Sequence, residues 1–219
     1  MNMISRTLVA LAAVGFFATP ALAGPPLICH PFEIESGKLI AWGPGPGWNS
    51  PDRAYDVKKL VADTTAVLTA DAPILTRMEN MRRATIYAEE SPATAAALLR
   101  AVVERTKTKP ADARDEALEW FDAGYLVETY RQLGLVYEHG MLPSHGRWTS
   151  LVPAELTELD GYALVQKAVA LAPTSQAELD FASALMSREP LSATHLRRAA
   201  SGAEAGSLLA QNLVHYDVR

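Results

Sequence analysis

Apolar residues recur along most of this chain at three- and four-residue intervals, the period of helices with one buried face. Ile74, Met78, Met81, Thr85 and Ala88 share one face of a helix expected over residues 74–90. At that spacing Met78 and Met81 read as core-filling side chains rather than soft-metal ligands, because methionine adapts to irregular gaps. An earlier helix is expected from Ser50-Pro51, an N-cap followed by proline at the first helical position, to about Ala70. Ser91-Pro92 repeats that signal ahead of Leu98, Leu99, Val102 and Val103. Short turns between such helices predict antiparallel hairpins.

The stretch from about Ala111 to Gly134 breaks the one-sided pattern. Between Leu118 and Leu133 bulky residues occupy nearly every side of the cylinder, which predicts a helix buried within the domain. Asp122 and Glu128 fall inside it, where a carboxylate needs a partner or takes a raised pKa. Arg131 stands three residues beyond Glu128, the spacing of an intrahelical pair. Structural pairing is expected of both carboxylates, rather than acid–base chemistry. Next, Val136 to Pro153 holds Gly140, Pro143, Gly146 and Pro153, which predict a long irregular loop. It gathers His139, His145, Arg147 and Trp148, and long loops carry function more often than helix interiors do. The two histidines are six residues apart, outside the i,i+4 spacing of a helical metal motif.

From Gly161 the helical period resumes, stops at Pro173, and restarts after Ser175 and Glu178, which have capping-box spacing. Two short closing helices are expected after Pro190, divided near Ser201-Gly202. All of this makes an all-α protein.

The ends of the pattern are different. Residues 1–23 carry one charge, Arg6, then an apolar run from Leu8 to Ala18, then Pro20, Ala21 and Ala23. A basic start, a short apolar stretch and an A-x-A site read as a secretory signal peptide, too short for a good membrane span. Cleavage after Ala23 would leave a periplasmic or secreted protein with no transmembrane segment. Removing Arg6 from the 20 basic residues leaves 19 against 25 acidic ones, a net charge of −6. That balance excludes general nucleic-acid binding.

Residues 24–49 are dense in proline and glycine, which excludes a regular helix. Trp42 and Trp48 should fold this arm back on the helical body of residues 50–219, because two tryptophans are costly to leave in water. Cys29 is the only cysteine, so no internal disulfide exists. Cys29-His30 matches the second half of a c-type haem attachment, but the first cysteine is replaced by Pro26. Three readings of Cys29 stand: a buried thiol, a reactive thiol tuned by His30, or a soft-metal ligand for copper or zinc. Adjacent side chains diverge in an extended segment, which counts against the last two.

Between Gly161 and Met186 the order of small and large residues resembles the tetratricopeptide repeat. Gly161, Val165, Ala168 and Pro173 fall at the spacing of that family's second helix, and Leu179, Ala182, Ser183 and Met186 at that of the next opening helix. Trp120, Gly124 and the aromatic residues beyond are similar to a first-helix signature. His195 and Arg197-Arg198 depart from it, standing where small residues belong. The resemblance implies a short superhelix of hairpins whose surface binds a peptide or protein segment, without a cofactor. Trp120, Tyr125, Tyr130 and Arg131, with His139, His145, Arg147 and Trp148, are then the candidate partner-binding residues. No nucleophile elbow, zinc-protease helix or phosphate-cradling glycine loop is present. The expectation is a non-catalytic binding or scaffold protein of the cell envelope. Its alternative is a small metal-binding or reactive-thiol protein centred on Cys29 and His30.

Overall fold

The computed structural model describes residues 27–216 apart from 36, 109, 111 and 139–150. The signal-like residues 1–23, and His139, His145, Arg147 and Trp148, lie outside the described residues. Among those described there are eight α-helices and no strand: α1 (Leu60–Val67), α2 (Ile74–Ala88), α3 (Pro92–Arg105), α4 (Ala113–Glu138), α5 (Gly161–Leu171), α6 (Gln176–Met186), α7 (Leu191–Gly202) and α8 (Leu208–Leu213). No described helix is long and apolar enough to cross a membrane.

Neighbouring helices pair as hairpins. The most extensive contacts join α4 to α5 and α6 to α7, while α4 also packs on α2 and α3. The all-round apolar pattern of α4 has its reason here: Leu118, Phe121, Tyr125, Leu126, Val127, Tyr130 and Leu133 are all buried. Gly124 and Gly161 make the closest crossing. A Cβ on either would lie 2.5 Å from the other's carbonyl oxygen, so only glycine lets α4 and α5 approach this far. The residues that carried the repeat resemblance in both helices therefore meet in one hairpin.

Asp122 is wholly buried, and its Oδ2 binds Arg77 at 2.6 Å and Arg105 at 3.1 Å. Arg77 also donates to the carbonyls of Ala72 and Thr69, and Arg105 to that of Leu68. The cluster thus ties α4 to the turn between α1 and α2. Burial pushes the Asp122 carboxyl up in spite of both guanidiniums. Glu128 pairs with Arg131 at 2.7 Å, as its spacing predicts.

Three boundaries differ from expectation. Ser50-Pro51 does not start a helix: Ser50 turns its hydroxyl back to Pro46, and the next helical turn begins at Val57 under an Asp56 cap. Gly134 does not end α4, which continues to Glu138. Glycine costs only about 1 kcal/mol in a helix, and burial of Leu133 and Val136 on either side offsets it. Ser175 makes no side-chain cap, because Pro173–Ser175 is a 3-10 turn running straight into α6. By contrast Ser91 caps α3 as expected, accepting the Thr94 N–H.

Candidate functional site

Three polar side chains from three helices form a line through the α5–α6–α7 region. Asp180 on α6 and His195 on α7 are almost completely buried, and Oδ1 lies 2.6 Å from Nδ1. The other ring nitrogen, Nε2, lies 2.8 Å from the hydroxyl of Tyr162 on α5. With Asp180 accepting from Nδ1–H, Nε2 is left to accept from the phenol. Carboxylate, imidazole and hydroxyl stand in the order of a base-assisted nucleophile. Burial and the Asp180 charge push the phenol's pKa up, against the opposing pull of Arg198. The line pins α5, α6 and α7 together with satisfied polar groups.

Beside it, α6 and α7 leave an open cleft of about 480 Å³. Gln176, Ala177 and Asp180 line it from α6, and Thr194, Arg197, Arg198, Ser201 and Gly202 from α7. The spacing on both helices is helical, so each presents one face to the cleft. At one end Gly202 lets the helices close, for a Cβ there would lie 2.7 Å from that of Ala177. Arg197 and Arg198 are exposed, and no carboxylate among the described residues pairs with either. Among the described residues the Arg197 guanidinium donates only to the Thr194 hydroxyl, at 3.3 Å. Asp180, the one acid in the lining, is engaged by His195. Thr194 and Ser201 give their hydroxyl protons to the Pro190 and Arg197 carbonyls, so the cleft presents two guanidiniums and the Gln176 carboxamide as donors.

The sequence-derived candidates are scattered by comparison. Tyr125 and Tyr130, expected at a partner-binding surface, are fully buried and shape the core. Tyr130 donates to the Ala95 carbonyl, joining α4 to α3. Trp120 is half-buried and covered by the Lys167 ammonium, 3.3 Å from the ring centroid. Arg131 spends its guanidinium on Glu128 and on the Thr157 and Leu159 carbonyls. Cys29 lies in a 3-10 turn of the arm, half-buried, with its thiol pushed up by burial although Arg82 opposes this. Burial and the nearby His215 push His30 down. Among the described residues no three His, Cys, Asp or Glu side chains are grouped to hold a metal.

Sequence reasoning registered His195, Arg197 and Arg198 only as departures from a repeat pattern. That departure was the available signal, because large polar residues at small-residue positions must be accommodated by something nearby. The chain matches no protein-family model, no curated protein and no solved structure. Fold and site define the class as an all-α protein of antiparallel helical hairpins.

Proposed function

We propose that the chain is an exported, non-catalytic helical-hairpin module that binds a protein or peptide partner in the cell envelope, taking an acidic stretch of it in the α6–α7 cleft. The observation that carries this reading is the pair of guanidiniums, Arg197 and Arg198, left without carboxylate partners among the described residues along the α6–α7 cleft. In a chain of net charge −5 such a local excess of cations stands out and attracts negative groups. Guanidinium forks suit carboxylates, and the Gln176 carboxamide adds a neutral donor. Export rests on the pattern of residues 1–23.

The test uses a fluorescent Asp/Glu-rich peptide and a Lys-rich control. The acidic peptide is expected to bind, to weaken as salt rises, and to lose about tenfold or more in affinity with Arg197→Ala/Arg198→Ala. Equal binding by that double variant removes the cleft from the proposal. Fractionation with N-terminal sequencing checks export: a cytoplasmic protein still starting at Met1 overturns it, and a periplasmic chain starting at Gly24 supports it.

A further inference from the structure

The face of α2 beneath the N-terminal arm is polar, yet it is buried. Glu79, Asn80 and Arg82 are each at most 1% exposed, and Arg83 and Tyr87 continue the same stripe. These side chains read the arm's main chain. Asn80 closes on it with both ends of its carboxamide, accepting from the Ile40 N–H at 2.9 Å and donating to the Lys38 carbonyl at 3.1 Å. Asn212 on α8 repeats the grip at Glu33, accepting at 3.0 Å and donating at 2.8 Å. Glu79 accepts the Phe32 N–H, while Arg83, Tyr87 and Arg82 donate to the carbonyls of Ile40, Ala41 and Trp48.

The arm has almost no structure of its own. Beyond the short turn at Leu27–Cys29, Gly43 N–H to Ser50 carbonyl is the only main-chain hydrogen bond within it among the described residues. It lies on the helices as an extended peptide ligand would, with Ile28, Phe32 and Ile40 as buried anchors. A carboxamide carries the same donor and acceptor pair as a peptide bond, so the grip suits any extended backbone in that register. The stripe itself is charged and amide-bearing, while the seats of the anchors are apolar, so the groove offers a peptide both hydrogen bonds and apolar contact.

We propose that this face of α2 and α8 is a peptide-binding groove, and that its partner in trans is the same segment, residues 28–50, of a second copy of the chain. The occupant follows from the register of the bound arm: the arm already satisfies every clamp and anchor, and exchange between copies keeps all of those contacts. The arm joins α1 through residues 53–59, which are mostly exposed and can serve as the hinge. This inference is independent of the acidic-ligand cleft.

Two measurements test it. A Cβ on Gly37 would lie 3.4 Å from Thr76 Cγ2, so cysteines at 37 and 76 would sit within disulfide reach. Gly37→Cys/Thr76→Cys in a Cys29→Ser background is concentrated, warmed and oxidised. A disulfide-linked dimer that increases with concentration is expected; an exclusively monomeric band on a non-reducing gel overturns exchange. The unmodified protein, treated likewise, is titrated with a labelled peptide of residues 27–50. Saturable binding is expected, weakened about tenfold or more when the peptide itself carries Phe32→Ala/Ile40→Ala, which leaves the groove and the resident arm unchanged. No binding overturns the groove, and equal binding of a scrambled peptide overturns the second copy's arm as its occupant. The peptide measurement decides the matter even where the cysteine variant does not fold.

Discussion

Gly161 shows how much a single hydrogen atom can decide. A methyl group there would strike the Gly124 carbonyl and the Glu128 side chain at 2.5–2.7 Å, and neither α4 nor α5 can yield without losing the packing of the other. Gly161→Ala is expected to cost about 1–3 kcal/mol, read as a lower urea midpoint. Unchanged stability would mean that the helices do not cross at this point. Asp122 is the opposite case, a residue needed for what surrounds it. Asp122→Ala leaves the buried Arg77 without its counter-charge and should destabilise by about 3–5 kcal/mol in the same assay. Of these residues, Glu128 with Arg131 was legible in sequence, because both partners share one helix. Arg77 was not legible as the partner of Asp122, since the two are 45 residues apart and only the packing of α2 on α4 unites them.

Among elements, α2 and the arm depend on each other. Burial pushes the Glu79 carboxyl up, but the Arg82 and Arg83 guanidiniums outweigh it and hold the group below its ordinary 4.5. The folded value lies below the unfolded one, so the charged form is the stabilising one. Its contribution is complete above pH 4.5 and fades as pH falls through the lower folded value. Trp42, whose ring lies 5.0 Å and 5.5 Å from the Arg82 and Arg83 guanidinium carbons, reports the loss by fluorescence. Glu79→Gln should flatten this acid transition; an unaltered one would place its origin elsewhere. Competition between local and distant partners also acts at this scale. Ser50-Pro51 and Ser91-Pro92 are the same signal, yet only the second caps a helix. Ser91 finds the Thr94 N–H within its own turn, whereas Ser50 is drawn to Pro46 and the following Asp52 N–H is captured by Tyr87. A local signal wins only where no distant partner competes for it.

The whole molecule hangs on α2 and α4. The longest helix, α4, touches α2, α3 and α5, and α2 touches α1, α4, α6 and the arm's first turn. The short α8 rests on α7 and on the Asn212 grip of the arm. Hydrogen exchange is therefore expected to be slowest in the middle of α2 and α4 and fastest in α8, with the arm opening before the core. Equal protection across all eight helices would contradict this hierarchy.

The helical class, the hairpin junction at Pro173, the buried character of α4 and the folding back of the tryptophan arm were set by the sequence itself. Each rests on a periodicity or composition that acts within a few residues. The tertiary structure decided the rest: that Tyr125 and Tyr130 are core, that Asp180, His195 and Tyr162 align, and that Arg197 and Arg198 border a cleft. These groups come from helices whose separation in sequence carries no trace of their distance in space. Their arrangement follows from how closely glycines such as Gly124, Gly161 and Gly202 let the helix axes approach, and that becomes visible only once the axes are placed.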